Sequence, residues 1–277
     1  MMLNKPIPST GEAMPVVGLG TWPAFDVGTD EASRRPLHEV VRHLLGAGGA
    51  MIDTSPMYGR SEGVVGDILA DMGLRDKAFL ATKVWTSGRD RGVEQMARSA
   101  RLMQAPVIDL MQIHNLVDWR AHLGTLRGMK ADGRLRYSGI THYTTGSLPE
   151  LARIVETEAG IDFVQCGYSL ATRAAENHLF PVCVARGVAV IINQPLERGT
   201  LFRAVRGKAL PGWAAEFDCA NWAALFLKYL IAEPAVSVVI PPTSPTIWRT
   251  TSRPGSAACL TRSSASKSGA GGIAFKL

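Results

Sequence analysis

Short apolar runs alternate along the chain with longer stretches whose apolar residues recur at helical spacing. The run "MPVVGLGTW" (14–22) predicts a strand. In "RRPLHEVVRHLLGAGG" the residues Leu37, Val40, Val41, Leu44 and Leu45 share one helical face, and the glycines mark its stop. A second strand centres on Ile52, and a second helix, "EGVVGDILADMG", ends at Gly73. Further strands are predicted at 78–84, 107–115, 135–143, 162–170, 187–196 and 236–241. Helices fall between them, in "GVEQMARSARLMQ", in "WRAHLGTLRGMKADG" and near 148–158, 174–186 and 218–232. The strands are apolar on consecutive residues, as parallel strands covered on both faces require. Eight such units fit a (β/α)₈ barrel, a single-domain TIM barrel. An open doubly wound sheet is the other architecture with this alternation. Against it, "GLGTWP" lacks the third glycine of a dinucleotide turn and has a proline where the helix would begin. Ahead of the first strand, "PIPSTGEAMP" predicts a short N-terminal hairpin turning at Thr10-Gly11, a plug for the barrel bottom.

Composition changes this picture little. The chain has 277 residues, with 46% hydrophobic and 19% charged positions, the balance of a globular protein. "MMLNKPIPSTGE" has no signal-like apolar core, and "WAALFLKYLIAEPAVSVVIPP" is broken by Lys228, Glu233 and Pro234. The expectation is a cytoplasmic protein with no membrane partner. Cys166, Cys183, Cys219 and Cys259 form no close pairs and no zinc spacing, so reduced, buried thiols and no metal are expected. The net charge of +6 belongs to the tail, where Arg249, Arg253, Arg262, Lys267 and Lys276 face no acidic residue. The rest holds 25 basic and 24 acidic residues, so no nucleic-acid partner is expected.

Chemistry in a barrel sits at the C-terminal ends of its strands. Asp53 ends the second predicted strand, and Tyr58 follows on its loop. Lys83 and His114 end the third and fourth. Each has an ordinary reading: a helix cap, a packing ring, a snorkelling lysine, a satisfied core histidine. Four of them at adjacent strand ends point instead to one site. Tyrosine, with a pKa of about 10, is a poor acid near neutrality. A lysine cation beside it stabilises the phenolate and is expected to lower that pKa. Asp53 would hold Lys83, while His114 would orient a carbonyl oxygen or share in proton transfer. Together they can protonate a carbonyl oxygen while hydride reaches its carbon.

These residues resemble the aldo-keto reductase family. The resemblance runs over about residues 7–244 and rests on "GLGTW", "IDTSPMYG", "FLATKVW", "IDLMQIHN", "GRLRYSGITHY" and "DFVQCGYSL". It implies a barrel that binds NADPH across its mouth, with NADH as the alternative, and reduces small aldehydes or ketones. The family's tetrad falls on Asp53, Tyr58, Lys83 and His114, with Tyr58 as the acid. Its nicotinamide-binding positions fall on Thr141, His142 and Gln165, where His142 departs from the usual Asn. A stacking aromatic is replaced by Asn193, just before Pro195 and Leu196. Arg198 and Gly199 are placed to face the pyrophosphate. Trp22, Trp85, Trp119 and Tyr143, all near strand ends, are expected to line the substrate pocket. A barrel aldolase with Lys83 as Schiff-base nucleophile and a non-catalytic cofactor-binding relative are the competing readings.

Residues 1–244 form the barrel-like part, and 245–277 form an atypical tail replacing the last helix. The tail has no helical period and is rich in Ser, Thr, Gly and Arg. Where the family carries an adenosine-binding segment ending Ala-Asp-Asn, this chain reads "TIWRTTSRPGSAACLTRSS". One back-translation of that stretch gives His-Leu-Ala-Asp-Asn-Leu-Ala-Ala-Gly-Leu in another frame. The hypothesis is a frameshift near residues 244–246, which would impair cofactor binding. The coding DNA tests it: a one-base shift there should restore such a helix, and its failure to do so would dismiss the idea.

Overall fold

Residues 2–243 are described by the computed structural model. Strands β1 (Asn4–Pro6) and β2 (Ala13–Pro15) pair antiparallel, with Lys5 opposite Met14. Their turn closes through Thr10 and Gly11 N–H donors to the Ile7 carbonyl, and Gly11 takes φ +77°. Eight parallel strands follow: β3 (Leu19–Gly20), β4 (Met51–Asp53), β5 (Phe79–Val84), β6 (Ile108–His114), β7 (Leu135–His142), β8 (Phe163–Gly167), β9 (Ala189–Asn193) and β10 (Val236–Val239). Each pairs with the next in sequence. The ring closes where Val17 bridges Val239 and Gly20 bridges Pro242 in parallel. A Cβ on Gly20 would lie 2.8 Å from Ile240 Cγ2, so this seam needs glycine. The fold is the (β/α)₈ barrel. The tail and the proposed frame break lie outside the described residues.

The predicted strand 14–22 is divided between two sheets. Val16 donates its N–H to the Leu3 carbonyl, on the hairpin side, while its own carbonyl accepts from Val239 N–H on the barrel side. The chain changes partners at that residue. Helices α1 (Glu31–Gly46), α2 (Ser61–Asp71), α3 (Arg89–Leu102), α4 (Trp119–Ala131), α5 (Leu148–Thr157) and α6 (Leu179–Arg186) cover the outer wall. Asp30 caps α1 by accepting from Ser33 N–H at 2.9 Å. The helix predicted from 174 begins only at Leu179. Ahead of it a 3₁₀ turn, Ala174–Glu176, is held by Glu176, which accepts from the Tyr168 hydroxyl and Arg173 Nε. A short α7 (Thr200–Ala204) and a 3₁₀ segment (Gly212–Phe217) precede α8 (Trp222–Ile231).

Strand parity separates two cores. Ile52, Leu80, Met111, Ile113, Ile140, Val164, Val190 and Ile192 pack outward under the helices. Met51, Phe79, Leu110, Tyr137, Phe163, Ile191 and Val238 pack inward, joined from below by Ile7 and Met14 of the hairpin. The hairpin is the plug its sequence predicts. Side chains two residues further along the same inward faces form the next layer up.

The plug is anchored by Lys5. Its Nζ donates to the carbonyls of Ile231 (2.8 Å), Glu233 (3.0 Å) and Val236 (2.6 Å), where α8 ends and β10 begins. A cation on terminal helix carbonyls is favourable both as donor and against the helix dipole. Lys5→Met is expected to cost about 1–3 kcal/mol and lower the thermal midpoint by several degrees, as losing charged hydrogen bonds does. An unchanged melting curve would mean that water replaces these bonds at no cost.

Candidate active site

The layer above the apolar plug is polar. Asp53 stands two residues above Met51 on β4, and Lys83 two above Ala81 on β5. Gln112 and His114 follow Leu110 on β6, Thr141 ends the same face of β7, Gln165 follows Phe163 on β8, and Asn193 follows Ile191 on β9. Register supports the convergence: Lys83 is level with Gln112, His114 with Thr141, and Thr141 with Gln165.

Lys83 is 1% exposed and sits at the centre of this layer. Its Nζ donates to both Asp53 oxygens and to the Thr54 carbonyl, each at 2.8 Å. Gln112 Nε2 adds a bond to Asp53 Oδ1 at 3.3 Å. Lys83 Nζ lies 5.3 Å from the Tyr58 ring centroid. The loop after β4 brings Tyr58 back over the pair, with Thr54 N–H on the Ala81 carbonyl and Tyr58 N–H on the Ser55 carbonyl. The Tyr58 and His114 rings meet edge to face, with centroids 6.0 Å apart.

Burial pulls the lysine pKa down, but the Asp53 and Tyr58 charges and the bonds to Asp53 outweigh it, and the net shift is upward. Lys83 is therefore a fixed cation. The expectation for Tyr58 is corrected. Lys83 does pull its pKa down, but burial of the phenol, aided by the Asp53 charge, raises it overall. Tyr58 stays protonated at neutral pH. Burial, with the charges of Lys83 and His142, lowers His114 to about 3, so its ring is neutral.

A cavity of about 710 Å³ opens over this layer. Asp53, Tyr58, His114, Thr141, Gln165, Asn193, Pro195, Leu196, Arg198 and Gly199 all reach it, as do Trp22 and Tyr143. Lys83 lies beneath its floor. Other predicted positions fall elsewhere. Trp119 begins α4, 8% exposed, with the Arg120 guanidinium 4.3 Å from its ring. It packs against the helix layer and does not line the cavity. Trp85 stands to one side, its ring 6.4 Å from that of His114. His142, whose place at the strand end alternates away from Thr141, stacks on Tyr143, and its Nδ1 accepts from Thr144 N–H. Gln112, Met57, Asn115 and Phe202 were not singled out in the sequence. Gln112 was legible by parity, two residues before His114. Met57 and Asn115 sit on loops without a pattern, and Phe202 sits on the short α7, which is too brief to show a helical period.

Two orphan atoms mark the far wall. Thr141 Oγ1 donates to Gln165 Oε1 at 3.1 Å, which fixes the amide and leaves Gln165 Nε2 buried without a partner among the described residues. Asn193 Oδ1 is likewise buried and unpartnered. One free donor and one free acceptor complement a carboxamide, which offers the opposite pair. Beside them, Gln194, Glu197 and Arg198 adopt left-handed φ of 52°, 48° and 50°. This loop is held by Glu197, whose Oε1 accepts from Ser169 Oγ (2.5 Å) and Thr172 Oγ1 (2.6 Å).

The depressed His114 pKa has a consequence for stability. Between pH 6.5 and about 3 the unfolded chain binds a proton at this ring that the folded chain refuses. Stability is therefore present above pH 6.5 and lost as pH falls through that window. His114→Asn should flatten this part of the stability profile in urea unfolding at stepped pH. An equally steep profile in the variant would assign the acid sensitivity to other groups.

The aldo/keto reductase family profile matches residues 16–246. The methylglyoxal reductase YeaE of Escherichia coli K12 is 27% identical over 251 residues, 86% of this chain and 84% of that protein. An NADH-specific methylglyoxal reductase of the same organism is 26% identical over 250 residues, 77% of this chain and 73% of that protein. Among solved structures, an aldo/keto reductase from Klebsiella pneumoniae in complex with NADP and acetate superposes with a TM-score of 0.74 at 25% identity, covering 87% of this chain and 86% of that one. With a matched profile over most of its length and the same barrel, this chain belongs to the aldo/keto reductase family.

Proposed function

We propose that this chain reduces a small aldehyde or ketone to an alcohol, using NADPH, with Tyr58 as the proton donor. The observation that carries the reading is the fixed Asp53–Lys83 pair beneath a protonated Tyr58, facing a cavity that His114 also reaches. The relatives' names supply the cofactor and substrate classes: one is an NADP complex, and two are methylglyoxal reductases. NADH is the alternative cofactor, since one of those relatives is NADH-specific.

Gln165 Nε2 and Asn193 Oδ1 would hold the nicotinamide carboxamide, and Thr141 would keep Gln165 turned toward it. Arg198 and the Gly199 backbone, on the loop braced by Glu197, would face the pyrophosphate. Held by these residues, a reduced nicotinamide would supply hydride for the carbonyl carbon. The protein's own part is proton management. Tyr58 gives its hydroxyl proton to the carbonyl oxygen, and the phenolate left behind faces Lys83. That cation is held before the reaction begins, so its stabilisation costs no reorganisation at the transition state. Trp22 and Tyr143 give the open side of the cavity an apolar wall for the substrate.

Lys83 is engaged in three bonds and carries a raised pKa, which disfavours the Schiff-base reading. The non-catalytic alternative rests on the tail, outside the described residues. Tyr58→Phe is expected to cut turnover by about 10²–10⁴ while leaving NADPH quenching of tryptophan fluorescence intact. Full turnover in that variant would remove Tyr58 from the acid role. Failure of both NADPH and NADH to quench the folded wild-type chain would count against the reductase and the cofactor-binding relative alike and would make the tetrad a relic in this chain.

A further inference from the structure

Ser55 lies in the turn that delivers Tyr58, and it is completely buried. Among the described residues its Oγ has two hydrogen-bond partners. It accepts from the Met57 backbone N–H at 3.3 Å and lies 3.0 Å from His114 Nδ1. A backbone N–H can only donate, so Nδ1 is the one acceptor for the serine's own proton. The opposite arrangement, with Nδ1–H donating, would make Oγ accept twice and strand its hydroxyl proton in a dry site.

We propose that Ser55 is a positioning residue that locks His114 in the tautomer bearing its proton on Nε2. Because the His114 ring is neutral at neutral pH, the choice lies between two neutral tautomers, and a single hydrogen bond can make it. The lock sits in the Tyr58 turn itself: the Ser55 carbonyl accepts Tyr58 N–H at 3.0 Å while the Ser55 hydroxyl reaches His114. One turn thus sets both the position of the acid and the proton map of the histidine.

Together with the reductase reading, on which this consequence rests, the lock separates the two roles open to His114. A ring with Nε2–H toward the cavity donates a hydrogen bond to a carbonyl oxygen. It has no free nitrogen there to take up or relay a proton. The substrate oxygen then meets two donors, Tyr58 O–H to protonate it and His114 N–H to orient it.

The test is long-range ¹H–¹⁵N correlation on histidine-labelled full-length protein at neutral pH, with the His114 signals assigned by their loss in His114→Asn. The wild type should show a bare Nδ1 and a protonated Nε2. Ser55→Ala should mix the tautomers or shift the proton to Nδ1, and Ser55→Thr should restore the wild-type pattern. In turnover assays Ser55→Ala should raise KM for the carbonyl severalfold with NADPH quenching unchanged. A protonated Nδ1 in the wild type overturns the lock whatever the variants do. So does a Ser55→Ala spectrum identical to wild type. A wild-type chain with the expected spectrum but no carbonyl reduction would leave the lock standing and sink the reductase reading.

Discussion

The contact between Lys83 and Asp53 is the constraint on which the rest of the site depends. Both groups are buried, and an ion pair removed from water recovers its desolvation cost only when its remaining bonding capacity is filled. Here Thr54 takes the third lysine proton and Gln112 adds a donor to the carboxylate. Removing one partner from such a pair costs about 3–5 kcal/mol, because a buried charge is left uncompensated. A well-packed apolar pair would serve stability as well. What the pair adds is a cation fixed at a defined point: the Lys83 charge opposes the effect of burial on the Tyr58 phenol and helps keep His114 neutral, while Asp53 holds it there.

That field acts where it does because of barrel geometry. Parallel strands with two-residue parity stack apolar inward side chains at the bottom and polar ones at the top. The hairpin plug packs Ile7 and Met14 into the lower end, and the polar layer faces the upper cavity. In that restricted opening, donors and charges act more strongly than they would in bulk water. The same layer carries the facing Tyr58 and His114 rings on one side and the unpartnered Gln165 and Asn193 atoms on the other, the division on which the proposed function rests.

Much of this was legible in the sequence, for physical reasons. Regular alternation of apolar runs and amphipathic stretches dictated the barrel, and strand-end polar residues had few other places to go. The split of 14–22 was hidden because both halves are extended and apolar, and only the change of hydrogen-bonding partner at Val16 distinguishes them. Trp119 misled because proximity to a strand end does not fix direction; the first turn of α4 points it into the helix layer. The Tyr58 shift was misjudged in sign because a neighbouring charge can be read from sequence, whereas the depth of burial opposing it cannot. Ser55 gives no signal in the sequence because its partner His114 lies 59 positions away.

The most direct test of the account is transfer of label. The purified chain would be given NADPH deuterated on the transferring face of C4, together with a small aldehyde such as methylglyoxal, and the product analysed by mass spectrometry. The account predicts an alcohol carrying one deuterium on the former carbonyl carbon, formed by the wild type and lost in Tyr58→Phe. An alcohol without label, or no alcohol from a folded, cofactor-binding chain, would contradict it.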